Sequence, residues 1–225
     1  MERLLVSVLT ARLPDSGRIW LDKALNRLIS HPSEQSLLRS YTEASRFLGK
    51  TAVSFTPDER AQLKQLDPLV VMDSWACDDV ARVLLLLTVS KGVSVEEFAA
   101  RARRCYKLGD SREQQSWLRG LCLLPGSETF VDIAIDSCRT NILPLFESIA
   151  TINPYPSRYF PELNFNQMVM KCLFNAVPLN RIVDLDRRLN PELARMAESY
   201  ARERAAAGRS VPADIDTARN YYENV

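Results

Sequence analysis

Carboxylates are the reactive side chains that this sequence places at suggestive spacings. Asp78 and Asp79 stand just ahead of Arg82, Asp132 and Asp136 lie four apart with Arg139 following, and Glu162 opens a later apolar run. General acid–base catalysis needs two carboxylates whose surroundings separate their pKa values, with a cation to meet developing charge. These five acids, with Arg82 or Arg139, are the set from which such a site could be built. A plainer reading stands beside it. Asp78 before Arg82 is the favourable orientation of an i,i+4 ion pair, while Asp132 and Asp136 read as a solvated helix face partly offset by Arg139.

Other chemistries lack their residues. A single histidine, His31, excludes any site needing two histidine ligands. The five cysteines, Cys77, Cys105, Cys122, Cys138 and Cys172, are scattered singly inside apolar patterns and read as buried thiols in a reduced compartment. No G-x-G-x-x-G, G-x-x-x-x-G-K-[ST], G-x-S-x-G or H-E-x-x-H motif occurs, so no metal and no cofactor is expected. A net charge of +1 argues against a nucleic-acid partner. The greasiest stretch, Val80 to Val89, contains Arg82 and is too short to span a membrane. Before Arg12 the N-terminal apolar run is too short for a secretion signal, so a cytoplasmic protein is expected.

The elements that must position these residues are helices. Only 7 of 225 residues are glycine, and Leu, Arg and Ala are the commonest types, which disfavours turn-rich β structure. Apolar periodicity and capping signals predict helices near 16–29, 33–48, 57–66, 73–90, 95–108, 112–123, 128–140, 142–150, 162–177, 179–188, 191–207 and 213–222. Thr56 to Glu59, Ser94 to Glu97 and Ser111 to Gln114 read as capping boxes. Gly49, Gly92, Gly109, Gly126 and Gly208 follow helices, where a left-handed residue is wanted. Thr51 to Phe55 alone alternates like a strand. The expectation is an all-α single domain over 1–225, built as an irregular helical bundle or a degenerate HEAT-like solenoid of helix pairs.

Two stretches stand apart. Helix 73–90 carries Asp78, Asp79 and Arg82 on one side, then runs apolar all round from Val83 to Leu87, so it should cross the centre of the fold. Trp75 falls on the side of Arg82, where it could stack on the guanidinium or line a pocket. Within 151–177, Asn164, Gln167, Lys171 and Asn175 form a polar stripe that accounts for a solvent face. Asn166 falls on the opposite side among Val169, Met170 and Leu173, and an unsatisfied buried amide costs about 1–3 kcal/mol. Its partner is either a backbone group of the preceding loop or a ligand. That loop, Asn153 to Pro161, holds three prolines and reads as stiff and non-helical. Tyr155, Tyr159 and Phe160 would make it a plug for the bundle or, with Glu162 and Asn166, the wall of a pocket for an aromatic or isoprenoid-like molecule.

At NPYPSRYFPELNFNQMVMK (153–171), again at Asn190 to Met196 and Ala201 to Arg209, and more weakly at RFLGK (46–50) and Trp75 to Leu87, the sequence resembles the EboA family. The resemblance implies an all-helical cytoplasmic protein encoded in bacterial clusters that move or process secondary-metabolite precursors, beside a membrane prenyltransferase and several enzyme homologues. It carries over no catalytic residues. The function expected is non-enzymatic: binding a small hydrophobic or aromatic metabolite, or a partner protein from the same gene cluster. An enzyme using a carboxylate pair and a pure protein–protein scaffold are the alternatives.

Overall fold

A computed structural model describes residues 1–219 and shows an all-α protein with fourteen α-helices among them. The chain divides into two compact units, Met1–Ala134 and a second beginning at Ile135.

The first unit contains α1 (Glu2–Arg12), α2 (Asp15–Ser30), α3 (Glu34–Leu48), α4 (Pro57–Leu66), α5 (Cys77–Ser90), α6 (Val95–Leu108) and α7 (Ser111–Gly120), followed by 3₁₀ turns at Leu121–Leu123 and Ser127–Phe130. Helix α5 lies at the centre, with α1, α2, α3, α6 and α7 packed about it, an irregular bundle. Every residue from Cys77 to Val89 is buried, as an all-round apolar helix requires. Each fully buried Leu or Val there contributes about 1.5–3 kcal/mol. Helix α7 approaches α5 so closely that a Cβ on Gly120 would stand 2.3 Å from Val83 Cγ2.

Several boundaries differ from the sequence reading, each for a local reason. The central helix starts at Cys77 and not near 73, because Asp79 turns back to accept from the Ala76 N–H at 2.9 Å. Trp75 therefore precedes the helix, and its carbonyl accepts from Val53 N–H at 2.8 Å. The strand-like alternation of Thr51 to Phe55 is realised only as an isolated antiparallel bridge, Ala52 to Ala76. The Thr56–Glu59 capping box forms in both directions. The box read at Ser111 lies one residue earlier, between Asp110 and Glu113. Gly49, Gly126 and Gly208 are left-handed as expected, whereas Gly92 and Gly109 are not. Helix α1 is an addition, closed at its C-terminal end where the Arg12 guanidinium bonds the Val8 carbonyl and both Glu59 oxygens.

Helix α8 (Val131–Ser137) is shorter than the predicted 128–140. The second unit continues with α9 (Leu143–Ala150), α10 (Tyr155–Tyr159), α11 (Glu162–Phe174), a 3₁₀ turn at Leu179–Arg181, α12 (Leu185–Arg188), α13 (Pro191–Ala206) and α14 (Ile215–Arg219). The segment read as a non-helical loop thus contains a helical turn. Proline fits there because α10 begins at Tyr155, and Pro156 occupies a first-turn position whose missing N–H has no helical acceptor to lose. Helix α11 stops at Phe174 in a Schellman motif: Ala176 is left-handed (φ 56°), Val177 N–H reaches the Cys172 carbonyl and Ala176 N–H the Leu173 carbonyl. The predicted helix 179–188 is broken by Asp184, also left-handed, while Asp214 satisfies the free Leu179 N–H at the start of the 3₁₀ turn, accepting at 2.7 Å. Of the helix expected over 213–222, residues 220–222 lie outside the described part. No helix of the described residues is long and apolar enough to cross a membrane.

Candidate functional site

Two places concentrate the singled-out residues, one in each unit. In the first, Asp78 and Asp79 enter α5 side by side and are buried together with Arg82. Asp78 accepts from Arg82 Nη1 at 2.8 Å and from Arg112 through both Nε, at 2.7 Å, and Nη2. Asp79 accepts from Ser116 Oγ at 2.6 Å, Arg119 Nη1 at 2.9 Å and the Ala76 N–H. Arg82 Nε donates to the Tyr41 carbonyl at 3.0 Å, and its guanidinium lies over the Tyr41 ring, 5.5 Å from the centroid. Tyr41, and not Trp75, is the aromatic partner of Arg82; Trp75 is buried at the mouth of α5.

Burial pushes the Asp78 carboxyl up, but the Arg112 and Arg82 guanidiniums outweigh it and hold the group below the usual carboxylate range. The i,i+4 pair read from the sequence is real, and it points into the bundle rather than toward an open rim. Arg112 and Arg119, which close the cluster from outside, come from α7. Arginines are the residues of choice for buried carboxylates because their planar forks satisfy both oxygens. This arrangement pins α7 to α5.

In the second unit, α8 and α11 border a cleft of about 180 Å³. Ile135, Phe160 and Met168 supply its apolar lining, with the Cys138 sulfur beside them. Asn164, Gln167, Arg139 and Lys171 supply the polar groups. Burial raises the Cys138 thiol to about 12, so it adds no charge at neutral pH. Lys171 Nζ donates to the carbonyls of Cys138 and Thr140, both at 2.6 Å, and stands 4.9 Å from the Phe146 ring centroid. Those carbonyls follow the last turn of α8, so the lysine caps that helix and accounts for its early end. Among the described residues, neither the Asn164 nor the Gln167 amide has a side-chain hydrogen-bond partner. The polar stripe is open to solvent as expected, with Gln167 exposed and Asn164, Lys171 and Asn175 half-buried, and three of its members, Asn164, Gln167 and Lys171, also line the cleft.

Of the aromatic set, Phe160 lines this cleft. Tyr155 is fully buried, with its ring 4.7 Å from Tyr159 and 6.3 Å from Phe160, and so fills the core behind it. Glu162 is exposed on the first turn of α11. Asp136 and Arg139 form a loose pair at 3.4 Å, each side chain 76% exposed, with Arg139 at the cleft edge. Asn166 is buried, and its partner is neither the backbone nor an open site: its amide pairs reciprocally with that of Asn190. Asp132 belongs to the first unit, where Arg103 binds both its oxygens at 2.8 and 2.9 Å.

Two residues not singled out in the sequence hold this site in place. Arg188 donates to the carbonyls of Pro156, Ser157 and Phe160 at 3.2, 2.6 and 2.8 Å, while its guanidinium lies 4.4 Å from the Phe165 ring centroid. Asn153 binds the Ser148 carbonyl and accepts from Tyr155 N–H, an Asx turn that starts α10. Arg188 reaches carbonyls 28 to 32 residues away, which no spacing rule encodes, whereas Asn153 before Pro154 carries a local turn signal.

The described residues form an all-helical protein with a small amphipathic cleft in the second unit and an arginine-locked carboxylate cluster in the first. The chain belongs to the EboA family, described as metabolite traffic protein EboA, whose match covers residues 1–218. No curated protein and no solved structure matches it.

Proposed function

We propose that the chain is a non-enzymatic binding protein, acting in the cytoplasm, that holds a small, largely apolar or aromatic secondary-metabolite precursor in the α8–α11 cleft during its transport or processing. The observation that carries this reading is the pairing of an apolar lining, Ile135, Phe160 and Met168, with two amides, Asn164 and Gln167, that have no side-chain partner of their own. Small-molecule sites are built this way, with apolar walls for affinity and a few convergent polar groups for orientation. The family description fits a role in metabolite handling. Its match runs through both compact units, which supports treating 1–225 as one functional domain. Proteins of the same gene cluster are then the partners that load or unload the cleft.

Native mass spectrometry of the chain purified from its own host tests this. A co-purifying small molecule, displaced in a Met168→Trp variant that fills the cleft, is the expected result. Retention of the same molecule by Met168→Trp, or a bare polypeptide mass from every preparation, overturns the reading.

A further inference from the structure

The charges around the α8–α11 cleft are one-sided. Its lining holds Arg139 and Lys171 and no acidic side chain. Lys171 is already engaged, since two of its three donors meet the Cys138 and Thr140 carbonyls and its charge faces Phe146. Arg139 is different. Its ion-pair partner, Asp136, sits at 3.4 Å with both side chains three-quarters exposed, a separation and exposure at which an ion pair contributes little. Four of the five guanidinium N–H donors remain beyond that contact. Beside it, Asn164 and Gln167 offer further N–H donors.

Resting on the binding role proposed above, we infer that the cleft's occupant is an amphipathic monoanion: an apolar or aromatic body seated against Phe160 and Met168, carrying a carboxylate that takes the Arg139 fork. A carboxylate matches the guanidinium in shape and can accept two parallel N–H bonds. The charge balance favours one negative charge over two. Lys171 and Arg139 carry one positive charge each and Asp136 beside Arg139 one negative, so the cleft and its edge hold a net charge of about +1, too little for a phosphate monoester dianion. Its volume is that of about six water molecules, which suits a bicyclic aromatic acid with its far edge open to solvent.

Calorimetric titration of the full chain with 2-naphthoate, its uncharged isostere 2-naphthamide and 2-naphthyl phosphate tests the inference. The expected result is that naphthoate binds about tenfold more tightly than the amide, the gain of a charge-assisted hydrogen bond. Arg139→Gln removes that difference without weakening the amide, Arg195→Gln at an exposed position of α13 leaves it intact, and Met168→Trp abolishes binding of both. Equal affinity of acid and amide, or an unchanged ratio in Arg139→Gln, overturns the anion assignment while leaving the cleft as a binding site. Tighter binding of the phosphate overturns the monoanion. Failure of all three to bind the wild-type chain overturns this inference, whereas the host-purified mass spectrum judges the binding role separately.

Discussion

Asn166 and Asn190 face each other side chain to side chain, each amide donating to the other's carbonyl, at 3.0 and 2.9 Å. The same Asn190 oxygen caps α13 by accepting from Leu193 N–H, and its nitrogen also reaches the Arg188 carbonyl. One pair of amides therefore joins the middle of α11 to the start of α13.

Replacing Asn166 with Leu leaves the Asn190 amide short of a donor and an acceptor. We expect a loss of about 1–3 kcal/mol in chemical denaturation. Asn190→Ala should cost roughly 1 kcal/mol more, because it also removes the helix cap. An unchanged Asn166→Leu midpoint would show that the pair is not structural.

Asp78 links stability to acid. Its carboxyl lies below the ordinary 3.8 when folded, so its contribution is fully present above that value and disappears as the pH falls through the lower folded value. Urea midpoints measured from pH 7 down to about 2 should decline at the acid end, and Asp78→Asn should decline less steeply there. At neutral pH, Asp78→Ala breaks a buried pair and should cost about 3–5 kcal/mol.

Gly120 marks the closest approach of α7 to α5. A methyl group there meets Val83 Cγ2 at 2.3 Å, so Gly120→Ala should destabilise by about 1–3 kcal/mol. Val83→Ala is expected to recover part of this loss in the double variant. Additive losses in a double-mutant cycle would contradict the contact.

At Ala176 the direction reverses. Its φ of 56° is left-handed, which costs an L-residue about 1–2 kcal/mol that glycine avoids, against about 0.5–1 kcal/mol of glycine's extra chain entropy. Ala176→Gly should raise the melting temperature slightly, and a fall in calorimetry would refute this.

What the sequence made legible follows from what is local. The starts of α4 and α6 could be read because Thr56 and Ser94 cap groups three residues away. Asp78 to Arg82 could be read because the helix itself sets that distance. Helix 179–188 could not, since Asp184 adopts a left-handed backbone that no apolar spacing signals. Arg112 and Arg119 stayed hidden for the same reason: nothing in α7 marks them as partners of a carboxylate pair on α5.

The site shows the same division. Asn166 was recognisable as a buried amide by its angle on α11, but its partner lies 24 residues away and was not. Lys171 looked like part of a solvent stripe because the end of α8, whose carbonyls it takes, has no sequence signature. Phe160 could be read as a plug or as a pocket wall, and nothing local decides between them, because a cleft is a place where core-type residues such as Met168 lack a covering neighbour. Periodicity reports which face is apolar and is silent on what covers it.

Arg188 gives the cleft a particular character. By gripping the carbonyls of Pro156, Ser157 and Phe160 it clamps the segment that presents Phe160, so that wall is braced by the fold itself. In the binding role proposed above, a guest of matching contour would have no loop to freeze on arrival. Such a cavity would select as a mould does, by rejecting shapes, through a cation that never touches the guest.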